Sequence, residues 1–184
     1  LSEPAGIHDD VIAKVSSSGE ILQSESMLKL LIEKQLRHWV ITYDEIVSFP
    51  VGIRDIQPVL ADGPYWKRGD LFLSLGSLNM VLLYRPATRE IVWSTRDGLE
   101  TPGDVEILDD HRISIFDSNR WFPPGNGNWA FAPADVPVYS FKAKKYQRPF
   151  KDALEKRNVE SNGEELAKVL PNGNLYLETG ARAG

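Results

Sequence analysis

Apolar and polar residues alternate along most of the chain, which is the period of half-buried β-strands. Asp10–Val15 (DVIAKV) and Ile21–Ser26 (ILQSES), separated by SSSGE, predict a first strand, turn and strand. Gly69–Ser94 holds three strands in succession, LFLSL, MVLLYR and EIVW; the PATRE turn between the last two carries Pro and Thr where a hairpin turn takes them. In Gly103–Asn119 (GDVEILDDHRISIFDSN) two apolar runs flank the polar turn DDHR. Val136–Phe141 (VPVYSF) is a further strand, with Pro137 pointing to an edge or a strand start. In Glu165–Thr179, Asn172-Gly173 is the strongest short hairpin signal of the chain.

Two helical patches interrupt the alternation. Ser24–Arg37 sets Met27, Leu28, Leu31 and Ile32 on one face behind a candidate N-cap at Ser24. Arg148–Asn158 is a shorter one. Arg120–Asp135, with Pro123, Pro124, Gly125 and Gly127 and no period, predicts a long loop.

Short strands at regular spacing predict an all-β sandwich, barrel or propeller. A strand, turn and strand phrase echoes four times, as AKVSSSGEIL, LLYRPATREIVW, VEILDDHRISIF and AKVLPNGNLYL. Such an echo favours a β-propeller. At about 40–50 residues per blade the chain makes about three to four blades, with two short helices, in a single propeller-like domain over 1–184.

Composition narrows the function. The chain has 184 residues, 42% of them hydrophobic, and a net charge of −5 with no basic run longer than KAKK, which argues against a nucleic-acid surface. It has no cysteine, so disulfides, thiolate metal sites and cysteine nucleophiles are excluded. No apolar run has the length of a membrane helix. No signal peptide is visible, and a chain that starts at Leu1 gives that little meaning. Neither a metal nor a cofactor is expected.

DIQPVLADGPYWKRGDLFLSLGSLNMVLLYRPATREIVW and GDVEILDDHRISIFDSN resemble a bacterial branch of the arylsulfotransferase family, as do the flanking DDVIAKVSSSGEILQSESMLKLL and NGEELAKVLPNGNLYLETGARAG. The resemblance covers nearly the whole chain. It implies a six-bladed propeller, periplasmic or secreted, that moves a sulfuryl group from one phenol to another through a transiently sulfated histidine. Imidazole carries such a group without holding it, and polar donors stabilise the sulfate oxygens as the ester bond breaks. Six blades need about 240–300 residues. A chain of this length is therefore expected to be a fragment, or to be completed by a partner or by self-association.

The same resemblance marks departures. Where the family phrase reads His-Leu-Asn-Asp this chain has Gly52-Ile53-Arg54-Asp55, and the Arg after LSL is Gly76. The Gln-His-Asp-Val that introduces the hairpin is Pro102-Gly103-Asp104-Val105. A late Asn is replaced around Thr179-Gly180. Glycine neither accepts a proton nor donates a side-chain hydrogen bond.

The remaining candidates are few. His8, in GIHDDV, is the candidate catalytic imidazole, able to ligate a metal or pair with a base; the bland alternative is a solvated terminal cluster. Arg54 and Asp55 are candidates for substrate binding, or form a surface ion pair. Asp104 either joins them or caps a strand start, and Asn119, with Asp117 and Ser118, lines a channel mouth or closes a turn. His111 reads as a turn residue, His38 and Trp93 as packing residues, and Trp121 and Trp129 as a possible stacking platform. Three functions follow: sulfuryl transfer between phenolic compounds, a catalytically inactive propeller binding an aryl sulfate or a protein, and assembly through open strand edges.

Overall fold

The computed structural model describes residues 6, 8–42, 45–46, 49–121, 130–161 and 166–178, without the side chains of 41, 42, 45, 46 and 121. It divides into two compact units, Leu1–Ile53 and Arg54–Gly184. The fold is all-β and propeller-like, its strands forming antiparallel sheets that close no barrel.

In the first unit, β1 (Val11–Val15) and β2 (Ile21–Ser26) form a hairpin with Val11 opposite Ser26 and a bulge at Lys14/Val15. Gly19, at φ +85°, sits in the turn, a conformation L side chains rarely adopt. Ser24 belongs to β2, and the N-cap is Ser26, whose hydroxyl accepts the Lys29 N–H at 3.0 Å. The first helical patch resolves into α1 (Met27–Glu33) and α2 (Arg37–Val40), because Gln35 turns left-handed at φ +64° between them. Met27, Leu30 and Leu31 form the buried face of α1. A two-residue pair, β3 (Ile41–Thr42) and β4 (Glu45–Ile46), follows.

The second unit is built on two four-stranded sheets. The first runs in sequence order through β5 (Ile53–Pro58, whose first residue falls in the first unit), β6 (Leu71–Leu75), β7 (Met80–Arg85) and β8 (Glu90–Thr95). β6 and β7 are buried on both faces, which is why their sequences read as continuous apolar runs. The second sheet starts from β9 (Pro102–Ile107) and β10 (Arg112–Asp117), the hairpin of the sequence analysis. After an inserted two-residue pair, β11 (Arg120–Trp121) and β12 (Ala130–Phe131), it is completed by β13 (Val138–Ser140) and β14 (Lys145–Gln147). The segment predicted as a long loop thus carries two short strands at its ends; Trp129 and the Trp121 side chain lie outside what is described. α3 (Lys151–Lys156) and the hairpin of β15 (Leu166–Val169) with β16 (Leu175–Glu178) follow.

The core lies between the two four-stranded sheets and is rich in rings. Phe72, Val81, Leu83, Val105, Ile113 and Ile115 are its buried centre. Trp93 and Phe141 pack with ring centroids 4.8 Å apart, and Trp66 meets Phe72 edge-on at 5.5 Å, so Trp93 has the packing role expected of it. A smaller cluster of Phe116, Ala134, Val136, Leu154 and Ala167 joins α3 and β15 to the second sheet.

Candidate functional site

The strand starts of β5 and β9 are fastened to each other by side chains. Asp55 on β5 accepts the Val105 N–H of β9 at 3.0 Å. Asp104 on β9 accepts the Ala167 N–H of β15, also at 3.0 Å. Two sheets in succession therefore hand a carboxylate from their first strand to a backbone donor of the next. Glu106 extends the second junction, accepting from Lys168 Nζ at 2.8 Å and from Val169 N–H at 3.3 Å. Burial pushes the Asp104 carboxyl above its ordinary pKa; the Ala167 N–H opposes this and the charge of Asp55 adds to it. Asp104→Ala leaves the buried Ala167 N–H unpaired and is expected to cost about 1–3 kcal/mol in denaturant unfolding.

Arg54 stands next to Asp55 on the alternate, exposed side of β5. Its side chain lies over Gly76, which opens a 3-10 turn (Gly76–Leu78) after β6: a Cβ on Gly76 would meet Arg54 Nε at 2.9 Å and Cγ at 3.0 Å. Arg54 and Gly76, two separate departures in the sequence, are one contact in the structure. The turn ends at Asn79, left-handed at φ +51°, whose amide accepts from Thr101 N–H at 2.9 Å and donates to Glu100 at 2.8 Å. The rim carrying Arg54 is so tied to the segment that enters β9.

Beyond Glu100 lies an open cleft of about 690 Å³, lined among others by Asn119, Pro133, Asp135, Arg148, Lys151 and Glu155. Asn119 adopts φ +48° and donates from Nδ2 to Pro133 O at 2.7 Å. Behind it Asp117 and Asp135 exchange backbone hydrogen bonds at 2.9 Å each way, with Asp117 wholly buried and Asp135 2% exposed. Asp117 accepts the Glu100 N–H with both oxygens at 3.0 Å. Arg148 donates to Asp135 and, through Nη2, to Gly98 O at 2.7 Å. Burial pushes the Asp117 carboxyl up to about 7; the Glu100 and Asn119 N–H groups and Arg148 oppose this, and Asp135 adds to it.

The three histidines have their own local partners. His8 belongs to the first unit, where it is exposed and stacks on Phe49 at 4.7 Å between centroids. His38 meets its neighbour Trp39 edge-on at 5.1 Å. His111 lies in the β9–β10 turn, at the end of that hairpin away from the start of β9, with Nδ1 2.6 Å from Asp110 Oδ1. The adjacent Asp109 is engaged by Arg112 Nε at 2.6 Å and by the backbone N–H groups of His111 and Arg112.

Arg54, Asp55 and Asp104 thus meet at neighbouring strand starts, while Asn119 lines the cleft. Sequence reasoning missed Gly76 as a partner of Arg54, and it missed Asp135 and Arg148; only the run of polar residues FDSN pointed toward the buried Asp117.

A search of curated proteins and one of solved structures gave no match. A family model described as arylsulfotransferase (ASST) matches residues 2–183. The chain belongs to the arylsulfotransferase family. This arylsulfotransferase-family chain has, among its described residues, no helix long and apolar enough to cross a membrane.

Proposed function

We propose that this arylsulfotransferase-family protein acts on aryl sulfates in the periplasm, moving a sulfuryl group from one phenol to another at the rim where β5 and β9 begin. The carrying observation is the convergence of Arg54, Asp55 and Asp104 on neighbouring strand starts. A guanidinium offers a planar fork of donors to two oxygens of a sulfate ester. Asp55 and Asp104 are engaged with backbone N–H groups and hold the strands that present Arg54. The reaction calls for an imidazole as carrier, and His8 is the one the sequence puts forward. In that step its nitrogen attacks sulfur, an N–S bond forms, the ester S–O bond breaks and the donor phenolate leaves. The acceptor phenol oxygen then takes the group, losing its proton and freeing the imidazole.

A second reading is a binding protein that retains the aryl sulfate and not the reaction. It is favoured by the composition of the rim: no histidine lies among the described residues of β5, β9 or the Gly76 turn. The positions at which the resembled phrases carry histidine are Gly52 and Gly103.

Incubation with 4-nitrophenyl sulfate and phenol separates the two. Release of nitrophenol that depends on the acceptor, and falls to background in His8→Ala, is the expected result. Binding of 4-nitrophenyl sulfate with no release supports the second reading.

A further inference from the structure

Gly76 is buried, yet its backbone does not call for glycine, since it is not among the residues with positive φ. What glycine leaves there is space for a neighbour's side chain. A Cβ there would stand 2.9 Å from Arg54 Nε, 3.0 Å from Cγ and 3.5 Å from Cδ, so a side chain at this position would push the flexible arginine out of its present place. The stem of Arg54 therefore lies flat on the Cα face of Gly76, on a turn that Asn79 pins to Glu100 and Thr101.

We propose that Gly76 is a positioning residue: its missing side chain is the slot that fixes the Arg54 guanidinium at the rim as the receptor for the sulfate group of an aryl sulfate. This rests on the proposed action on aryl sulfates and names the residue that orients their anionic end. An exposed arginine ordinarily samples many rotamers and loses that freedom on gripping an oxyanion. Held along its stem by the slot, Arg54 presents its fork with less left to order, so binding is tighter for the same hydrogen bonds. A guanidinium has five N–H donors, of which a two-oxygen grip on sulfate uses two.

The test is a double-mutant cycle on the full chain, read by calorimetric binding of 4-nitrophenyl sulfate, with circular dichroism and thermal midpoint to verify folding. Arg54→Ala is expected to weaken binding by about a hundredfold, and Gly76→Ala by about tenfold, the range of a charged hydrogen bond lost or misaligned. The diagnostic arm is the double variant: Gly76→Ala has no further effect in the Arg54→Ala background, whereas a purely structural glycine would lower affinity equally in both. Arg54→Lys keeps the charge, loses the fork and falls between. Where turnover is measured, Gly76→Ala raises KM and leaves kcat within about twofold. Equal losses from Gly76→Ala in the two backgrounds, or unchanged affinity in Gly76→Ala, overturn the slot. If the unaltered protein turns over 4-nitrophenyl sulfate while that happens, sulfuryl transfer stands without the slot. An unaltered protein that binds no aryl sulfate overturns both.

Discussion

Asp117→Asn makes the protein more stable at about pH 8 and flattens the decline of its stability between about pH 4 and pH 7. The sign follows from where the proton sits. In the unfolded chain the carboxyl ionises near its ordinary value of 3.8, whereas in the folded protein it holds its proton up to about 7. Across that window the unfolded state releases a proton that the native state keeps, so unfolding becomes easier as pH rises. Above about 7 both states are ionised and the loss is complete. At about 1.4 kcal/mol per pH unit the window is worth on the order of 4 kcal/mol. The physical cause is burial first, then the neighbouring Asp135, set against Arg148 and the N–H groups of Glu100 and Asn119. An amide at this position mimics the protonated acid and never charges. Urea unfolding of both proteins from about pH 4 to pH 8 measures it, and parallel profiles would contradict it.

The second large effect is in the first sheet, at the end of β6 and β7 away from Gly76. Arg85, at the end of β7, forms two parallel bonds of 2.8 Å to Asp70, which immediately precedes β6 and is 1% exposed. Lys67 N–H adds a third at 2.8 Å. Burial alone would raise the Asp70 pKa; the Arg85 bonds and the Lys67 N–H outweigh it and hold the carboxyl below its ordinary value. Arg85→Ala strands a buried carboxylate and is expected to cost about 3–5 kcal/mol. Arg85→Lys recovers the charge without the fork and lands between. Because the folded pKa is depressed, the contribution of Asp70 is present above the unfolded value of 3.8 and disappears as pH falls through the lower folded value. The Arg85→Ala penalty should therefore shrink in acid, which denaturation curves at neutral pH and at about pH 2–3 will read.

The strands were legible because a half-buried strand has no choice but to alternate, and because β6 and β7, covered on both faces, write unbroken apolar runs. The helix start was misplaced by two residues. Ser24 and Ser26 are equally good caps by chemistry; Ser24 lies inside the ladder opposite Ala13, whereas Ser26 is its last residue and its hydroxyl is the one that reaches the Lys29 N–H. Of the candidate site, Arg54, Asp55 and Asp104 could be named from sequence, but the groups they contact could not. Asp55 and Asp104 bond backbone groups 50 and 63 positions away. Nor does the sequence distinguish a turn glycine from one that makes room for an arginine 22 positions earlier, since that demand is spatial and leaves no local pattern. Arg148 and Asp135 were invisible for the same reason: each reads as an ordinary polar residue until folding buries the carboxylate.

The carboxylate relay from Asp55 to Val105 and from Asp104 to Ala167 has a consequence for motion. Val105 and Ala167 direct their amides out of their own hairpins to a neighbour's side chain, so their exchange with solvent reports the parting of two strands that share no ladder. The relay stops at Leu166, which stands one residue before Ala167, as Asp104 stands before Val105, and carries no carboxylate to pass on. Slow exchange at these two amides, lost one at a time with Asp55 or Asp104, would identify the junction between successive sheets as the smallest unit in which this protein breathes.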